Sequence, residues 1–280
     1  MILIDLNQVC IANILQEVKS IKKIEPLLVK HMILSTLLFY RKKFKDRYGE
    51  LVICCDSKKS WRKDVFPFYK ANRKANREKH PVDWNGIFEV INSLTDDLVN
   101  HFPYSVIRVD QAEADDIIGT LAKNYYRDEK IIIISSDKDF LQLQKYFNVE
   151  QFSPTQKKML VSKDPNGYLR EHIMKGDRGD GIPNFLSDDD TFVTDKRSKK
   201  VLSNKLKAWI GLDPYEFCNE KMLRGYKRNE QLVDLAHTPI DIKQKIVDQY
   251  KEYEYNQRDK LLNYFIKNKL RNLTEHIGDF

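Results

Sequence analysis

Cysteine is scarce in this 280-residue chain, and the four present (Cys10, Cys54, Cys55 and Cys218) form no C-x-x-C pair. No Cys/His grouping has zinc spacing, so a zinc module is excluded and the thiols read as reduced, in a cytosolic protein. Long apolar runs are also missing. Residues 51–55 and 131–134 are the longest, far below the ~20 residues that span a bilayer, so no membrane association is expected. The chain opens Met-Ile-Leu-Ile-Asp-Leu, without a basic leader, so neither a signal peptide nor an N-terminal tether for a sliding clamp is expected. No G-x-x-x-x-G-K-[ST] loop cradles a nucleotide phosphate, and no Ser or Cys nucleophile sits beside an obvious His. Asp5-Leu-Asn7 lacks the second aspartate that an aspartyl-phosphate phosphatase requires.

Charge is abundant. Charged residues make up 32% and hydrophobic residues 41%, with a net charge of +7 and a pI near 9.0. This describes a globular chain with room for a main domain and an appendage, and it favours an anionic partner. Over the first 160 residues strand-like and helix-like segments alternate. Strands are expected at 2–5, 51–55, 104–109 and 131–135, and helices at 26–44, 82–101 and 112–125, with a short helix after Asp137. That rhythm predicts an α/β domain over 1–163 with a mostly parallel, buried central sheet flanked by helices. Residues 164–280 read as a smaller helical C-terminal part. It contains a helix–loop–helix element around 172–200, whose Gly/Asp/Pro loop covers 176–184. Two stretches, 57–80 and 185–200, look irregular, and gaps of that length tend to carry function or disorder.

Carboxylates give the main chemical signal. Asp5 and Asp56 end strands. Glu113, Asp115 and Asp116 open a helix, Asp137 and Asp139 follow the isoleucine strand, and Asp177 and Asp180 lie in Gly-Asp-Arg-Gly-Asp-Gly. Open α/β sheets bind ligands beyond the carboxyl ends of their strands. Asp115 and Asp116 alone could complement a helix N-terminus, and Asp177 and Asp180 could form turns. Neither explanation requires so many carboxylates at strand ends. Like charges gathered this way need cations, and an oxygen-only donor set suits Mg²⁺, with Mn²⁺ as substitute. Two such ions can activate a water and steady a leaving oxygen in phosphodiester hydrolysis.

A basic segment follows Asp56. Residues 58–79 hold nine Lys or Arg and two acidic residues, interleaved with Trp61, Phe66, Phe68 and Tyr69. Cations bind phosphates and aromatics offer stacking surfaces, so nucleic acid is the expected partner. A second run, Lys196, Arg197, Lys199 and Lys200, either starts a helix on duplex backbone or is an ordinary exposed patch.

Asp5, Asp56, Glu113-Ala-Asp-Asp116, Ser136-Asp-Lys-Asp139 and Gly176-Asp-x-x-Asp180 resemble, in order, the acidic motifs of the 5′-nuclease (flap endonuclease) family. Trp61-Arg-Lys-Asp and Tyr69-Lys-x-Asn-Arg73 are similar to motifs of its T-even bacteriophage branch. The resemblance implies a PIN-like 5′-nuclease fold and a two-metal 5′→3′ exonuclease and flap nuclease that removes RNA primers in lagging-strand replication. It implies a first metal held by Asp5, Asp56, Glu113, Asp115 and Asp137, with Asp116 also in the metal set. Asp139, Asp177 and Asp180 hold the second. Lys70 and Arg73 join Asp5, Asp56, Glu113, Asp115 and Asp137 as catalytic residues. Arg62, Lys63, Tyr69, Lys70, Arg73, Lys74 and Arg77 contact nucleic acid, as do Lys196, Arg197, Lys199 and Lys200. The implied substrates are RNA·DNA hybrid, duplex DNA, 5′ flaps and forks. Implied too are a monomer, a single-stranded-DNA-binding protein and replication machinery as partners, and the host cytoplasm. The family loop often continues Asp-Asn-Ile-Pro-Gly, whereas here it reads Asp180-Gly-Ile-Pro-Asn184. Two other readings stay open on the residues alone. One is a metal-dependent ribonuclease of the PIN type, against which the loop motif counts. The other is a non-catalytic DNA binder, which would need no acidic cluster.

Overall fold

In a computed structural model of the chain, residues 1–17, 25–78, 82–194, 196–253 and 259–280 are described. Among them the chain runs β1 (Ile2–Asp5), α1 (Leu6–Glu17), α2 (Pro26–Tyr48), β2 (Leu51–Cys54), α3 (Arg62–Val65), α4 (Ala71–Glu78), α5 (Trp84–His101), β3 (Ser105–Ile107), α6 (Ala114–Tyr125) and β4 (Ile131–Ile134). A 3₁₀ turn over Lys138–Lys145 leads to β5 (Val149–Ser153) and β6 (Lys158–Leu160). Helices then follow: α7 (Pro165–Lys175), α8 (Ser203–Trp209), α9 (Pro214–Phe217), α10 (Glu220–Val233), α11 (Ile240–Lys251), α12 (Asp259–Lys267) and α13 (Arg271–Thr274).

The strands form one sheet in the order β3-β2-β1-β4-β5-β6, parallel except that β6 runs antiparallel to β5. β1 and β4 are continuous runs of apolar residues because both faces of the sheet are covered. Ile2, Ile4, Leu51, Ile53, Ile132 and Ile134 face α1, α2 and α5, while Leu3, Val52, Cys54, Ile131 and Ile133 face α6 and α11. Each fully buried isoleucine contributes about 1.5–3 kcal/mol. Strand order reverses at β1, which puts β2 on one side of it and β4 on the other. The carboxyl ends of β1, β2 and β4 therefore open onto one crevice at the switch point.

The sheet ends with β6 at Leu160, and the helices beyond it do not pack as one unit. Leu169, Ile173, Met174, Phe185, Tyr226 and Leu232 form a cluster of their own, joined by Phe66 and Tyr69 from the basic segment. Ile242 and Ile246 of α11 instead cover one face of the sheet, and Leu261, Phe265, Leu273 and Phe280 join the core on the other. The second basic run precedes the next helix: α8 begins at Ser203, and 27 residues separate it from α7. No helix among the described residues is long and apolar enough to cross a membrane.

Candidate metal centre and nucleic-acid cleft

Three strand ends and one helix start converge on an open cleft of about 860 Å³. Asp5 closes β1, and its carboxylate accepts from the Gln8 backbone N–H at 3.1 Å and from Ser135 Oγ at 2.9 Å. Asp56 follows β2 and accepts from Asn7 Nδ2 at 2.6 Å and from the Ala114 backbone N–H at 2.7 Å. That second bond ties the β2 end to the first turn of α6, which carries Glu113 and Asp115 into the same cleft. Asp137, after β4, accepts from the Asp139 backbone N–H at 2.9 Å. Asp5, Asp56 and Asp137 are thus each fixed by a neighbour where they line the shared space.

This packing is electrostatically uncomfortable. Burial, then the Asp56 and Asp137 charges, push the Asp5 carboxyl up to about 7. Asp115 is raised well above the ordinary carboxylate range by burial and by Asp137 and Asp5. Asp137 is raised by burial with Asp180 and Asp177 behind it, and Asp139 rises to about 7 through burial and Asp137. Fixed, mutually repelling carboxylates with no sulfur donor fit hard divalent cations.

Basic residues line the same cleft. Lys70 and Arg73 line the cleft with Lys63, Arg77 and Arg108. Lys70 has φ +57, a left-handed conformation uncommon outside glycine. This turns its N–H onto the Asp180 carbonyl at 2.7 Å and its ammonium onto Glu113 Oε1 at 2.5 Å. Arg73 pairs with Asp180, and Asn72 Nδ2 donates to the Arg178 carbonyl at 2.8 Å. The base of the basic segment is therefore bonded to the loop carrying Asp177 and Asp180. In that loop Gly176 (φ +66) and Gly181 (φ +71) adopt the left-handed region, and a side chain on Gly176 would meet the Ile182 carbonyl at 2.4 Å. Asn184 is buried and donates to Ser198 Oγ and to the Lys199 carbonyl, tying the loop to the second basic run.

Asp139 and Asp177 lie to one side, with His172 between them. Its Nδ1 is 3.2 Å from Asp139 Oδ1 and its Nε2 3.5 Å from Asp177 Oδ2. Burial opposes the charged ring, but the bond to Asp177 and the Asp139 charge outweigh it and raise the His172 pKa. The same bond lowers Asp177.

Several expected site residues lie elsewhere. Asp116 is fully buried behind the cleft, where it caps its own helix through the Glu113 N–H and accepts from Arg62, Trp61 Nε1 and Thr238 Oγ1. Arg62 is 2% exposed, bonded to Asp116, Glu113 and the Leu232 carbonyl. Both therefore sit in a buried knot and do not line the cleft. Tyr69 is buried too, its hydroxyl donating within reach of Glu113 Oε2 (2.7 Å) and Asp180 Oδ2 (3.0 Å). Lys74 lies within α4, but its side chain falls outside the described residues. Lys196 pairs with Asp190, and Arg197, Lys199 and Lys200 are exposed on the extended connection, not in the cleft. Sequence reasoning missed His172, Arg108, Asn7 and Ser135. Arg108 follows β3, so the strand-end rule that found the aspartates could have found it.

The family described as "5'-3' exonuclease, N-terminal resolvase-like domain" matches residues 10–170, and "T4 RNase H, C terminal" matches residues 167–280. The ribonuclease H of Enterobacteria phage T4 is 35% identical over 99% of this chain and 95% of its own length. A flap endonuclease Xni of Shewanella is 32% identical over 44% of this chain and 47% of its own. Among solved structures, the bacteriophage T5 flap endonuclease, in a pseudo-enzyme–product complex with DNA and metal ions, superposes with a TM-score of 0.67 at 17% identity, covering 90% of this chain and 99% of that one. The same fold recurs in the T5 5′-exonuclease with bound zinc, at a TM-score of 0.66 and 17% identity, over 90% of this chain and 98% of that one. With both halves of its length matched and a full-length relative at this identity, the chain belongs to the 5′→3′ exonuclease family, in the branch of the T4 ribonuclease H.

Proposed function

We propose that this 5′ nuclease works with two Mg²⁺ ions, removing RNA primers and adjacent DNA from the 5′ ends of RNA·DNA hybrids, duplexes, flaps and forks. The observation that carries this reading is the cleft itself, which gathers Asp5, Asp56, Glu113, Asp115, Asp137 and Asp180 in one open space with Lys70 and Arg73. Asp5, Asp56, Glu113, Asp115 and Asp137 would hold the first ion, and Asp139, Asp177 and Asp180 the second. Ions bound there supply Lewis-acid activation of water and neutralise charge on the scissile phosphate.

The chain's own groups do the rest. Ser135, Asn7 and the Gln8 and Ala114 amides aim the carboxylates. Lys70 and Arg73, now paired with Glu113 and Asp180, are in reach of a phosphate entering the cleft and stabilise its developing charge. Lys63, Arg77 and Arg108 guide the backbone by charge. The chain acts as a monomer in the host cytoplasm, alongside a single-stranded-DNA-binding protein and the replication machinery.

The test is digestion of 5′-labelled RNA·DNA, duplex and flap substrates side by side. Short 5′ products are expected with Mg²⁺ or Mn²⁺, none in EDTA, and little turnover with Ca²⁺, whose coordination is larger and looser. Undiminished cleavage in EDTA would overturn the reading.

A further inference from the structure

We propose that His172 is a positioning residue for the second ion site, holding Asp139 and Asp177 at the separation an ion requires. The inference rests on the two-ion reading above and goes beyond the all-carboxylate donor set.

The two carboxylates come from elements with no covalent reason to stay together. Asp139 sits in the 3₁₀ turn after β4, and Asp177 in the loop after α7. Each is braced on its own side, Asp139 through its N–H to Asp137 and Asp177 through a two-bond bridge with Ile182. His172, in the last turn of α7, approaches both: Nε2 lies 3.5 Å from Asp177, and Nδ1 lies 3.2 Å from Asp139 as a charge contact without hydrogen-bond geometry. One ligand atom from each of the three residues lies within 4.8 Å of the others. The ring is 13% exposed, and Tyr168, one turn earlier, meets it edge-on at 6.0 Å. Tyr168 thus supports the ring from its own helix.

The geometry suits a strut better than a ligand. A coordinating imidazole offers one nitrogen to the ion and the other to a partner behind it. Here the two nitrogens face different carboxylates, so the ring spans the gap between them. Carboxylates held by such a partner lose less affinity to reorganisation on ion binding, and losing one costs roughly 10–100-fold in metal affinity.

Mn²⁺ titration of the full chain, followed by calorimetry and electron paramagnetic resonance, tests this without turnover. Wild type should bind two ions. In His172→Phe the weaker site should lose roughly 10–100-fold while the tighter site, built on Asp5, Asp115 and Asp137, keeps its affinity. His172→Asn retains an amide near the Nδ1 position and His172→Gln one near Nε2, so each should recover part of the loss. The retained tight site, with the circular dichroism of each variant, separates this effect from a damaged fold. Unchanged affinity at both sites in all three variants would overturn the assignment. So would nitrogen hyperfine coupling from His172 in the wild-type spectrum, which would make it a ligand. A wild-type chain binding one Mn²⁺ would instead overturn the two-ion reading, and this assignment with it.

Discussion

Asp115 and Asp116 are neighbours in the first turn of α6, yet they belong to two different regions. Asp115 looks forward into the cleft, where burial and Asp137 and Asp5 raise its pKa. Asp116 looks back into the knot behind it, where burial alone would raise the carboxyl but the Arg62 guanidinium at 2.9 Å wins and lowers it. Asp116 is fully buried and Asp115 half-buried, yet burial pushes both carboxyls upward, so burial alone does not separate them. The difference is an internal cation. The knot carries its own, with further bonds from Trp61 and Thr238, and is complete as folded. Among the described residues no ion pair reaches Asp5, Asp115 or Asp137 in the cleft, and their mutual repulsion is what an external ion would relieve.

The largest effect should come from removing charge at the front. Asp115→Asn should cut single-turnover cleavage by more than about 100-fold, beyond the loss of an outer partner. It should leave DNA binding intact and raise the melting temperature of the metal-free protein, because one repelling charge is gone. Near-normal cleavage would return Asp115 to the role of a helix-terminus charge. Lys70→Ala and Arg73→Ala should each slow the same step by about 100-fold, as for loss of a donor to developing charge, with a smaller change in binding. An unchanged rate would make this wall a solvated face.

The knot should respond in stability. Asp116→Asn leaves the Arg62 guanidinium buried with half its partner charge, and breaking such a pair costs about 3–5 kcal/mol. Chemical denaturation should show that loss, while cleavage per folded molecule stays close to wild type. A stability-neutral Asp116→Asn with impaired metal binding would erase the contrast with Asp115.

Much of the front was legible in the sequence because strand-end carboxylates follow from the order of apolar runs. Asp5, Asp56 and Asp137 fall where the parallel sheet opens. Their assignment to named ions came from the family motifs. The knot was not legible. Nothing in Glu-Ala-Asp-Asp says which aspartate faces the core, and Arg62 looks like its basic neighbours until Trp61 and Leu232 enclose it. α1 was missed because Leu6–Glu17 has no acidic first turn and no basic last turn to mark its ends. β5 was missed because Val149–Ser153 includes Glu150 and Gln151, which look unlike a buried strand. Gln151 is buried because its amide donates to the Ser135 carbonyl behind the cleft. His172 escaped because its meaning depends on a contact between elements 33 residues apart.

A pH titration should separate the regions next. Asp5 and Asp139 stand near 7 in the folded chain against an ordinary value of 3.8. Between about pH 4 and 7 the folded state then holds more protons than the unfolded one. These groups therefore make metal-free stability fall as pH rises through that window. Asp116, lowered in the fold, acts in the opposite sense, contributing stability above the ordinary value that is lost as pH falls. Mg²⁺ must displace the cleft protons, so the half-saturating concentration should rise by roughly tenfold per pH unit below 7 for each proton released. Melting curves in EDTA and in Mg²⁺ should diverge toward pH 8 and converge toward pH 5. Parallel curves would mean that the cleft carboxylates ionise without strain.

The smallest effects belong to the outer cations, which test how far the basic wall extends. Lys63 and Arg77 line the cleft with no carboxylate partner among the ion pairs of the described residues, so their charge is available to a DNA backbone. Arg62, one residue away from Lys63, has spent its charge in the knot. Lys63→Ala and Arg77→Ala should each weaken binding a few-fold and lower the slope of log affinity against log salt by about 0.9 per lost phosphate contact on duplex. The rate once substrate is bound should hold, since neither side chain has a bond to a carboxylate of the ion site. Arg197→Ala and Lys200→Ala, on the extended connection, serve as a comparison outside the cleft. If they lower the slope as much as Lys63→Ala and Arg77→Ala, duplex backbone runs across the connection before α8 as well, and the second basic run binds without a helix of its own. If only the cleft pair matters, the substrate path ends at α4 and the connection is an ordinary charged surface, tied down by Asn184. Binding curves at three or more salt concentrations for the four variants distinguish these outcomes.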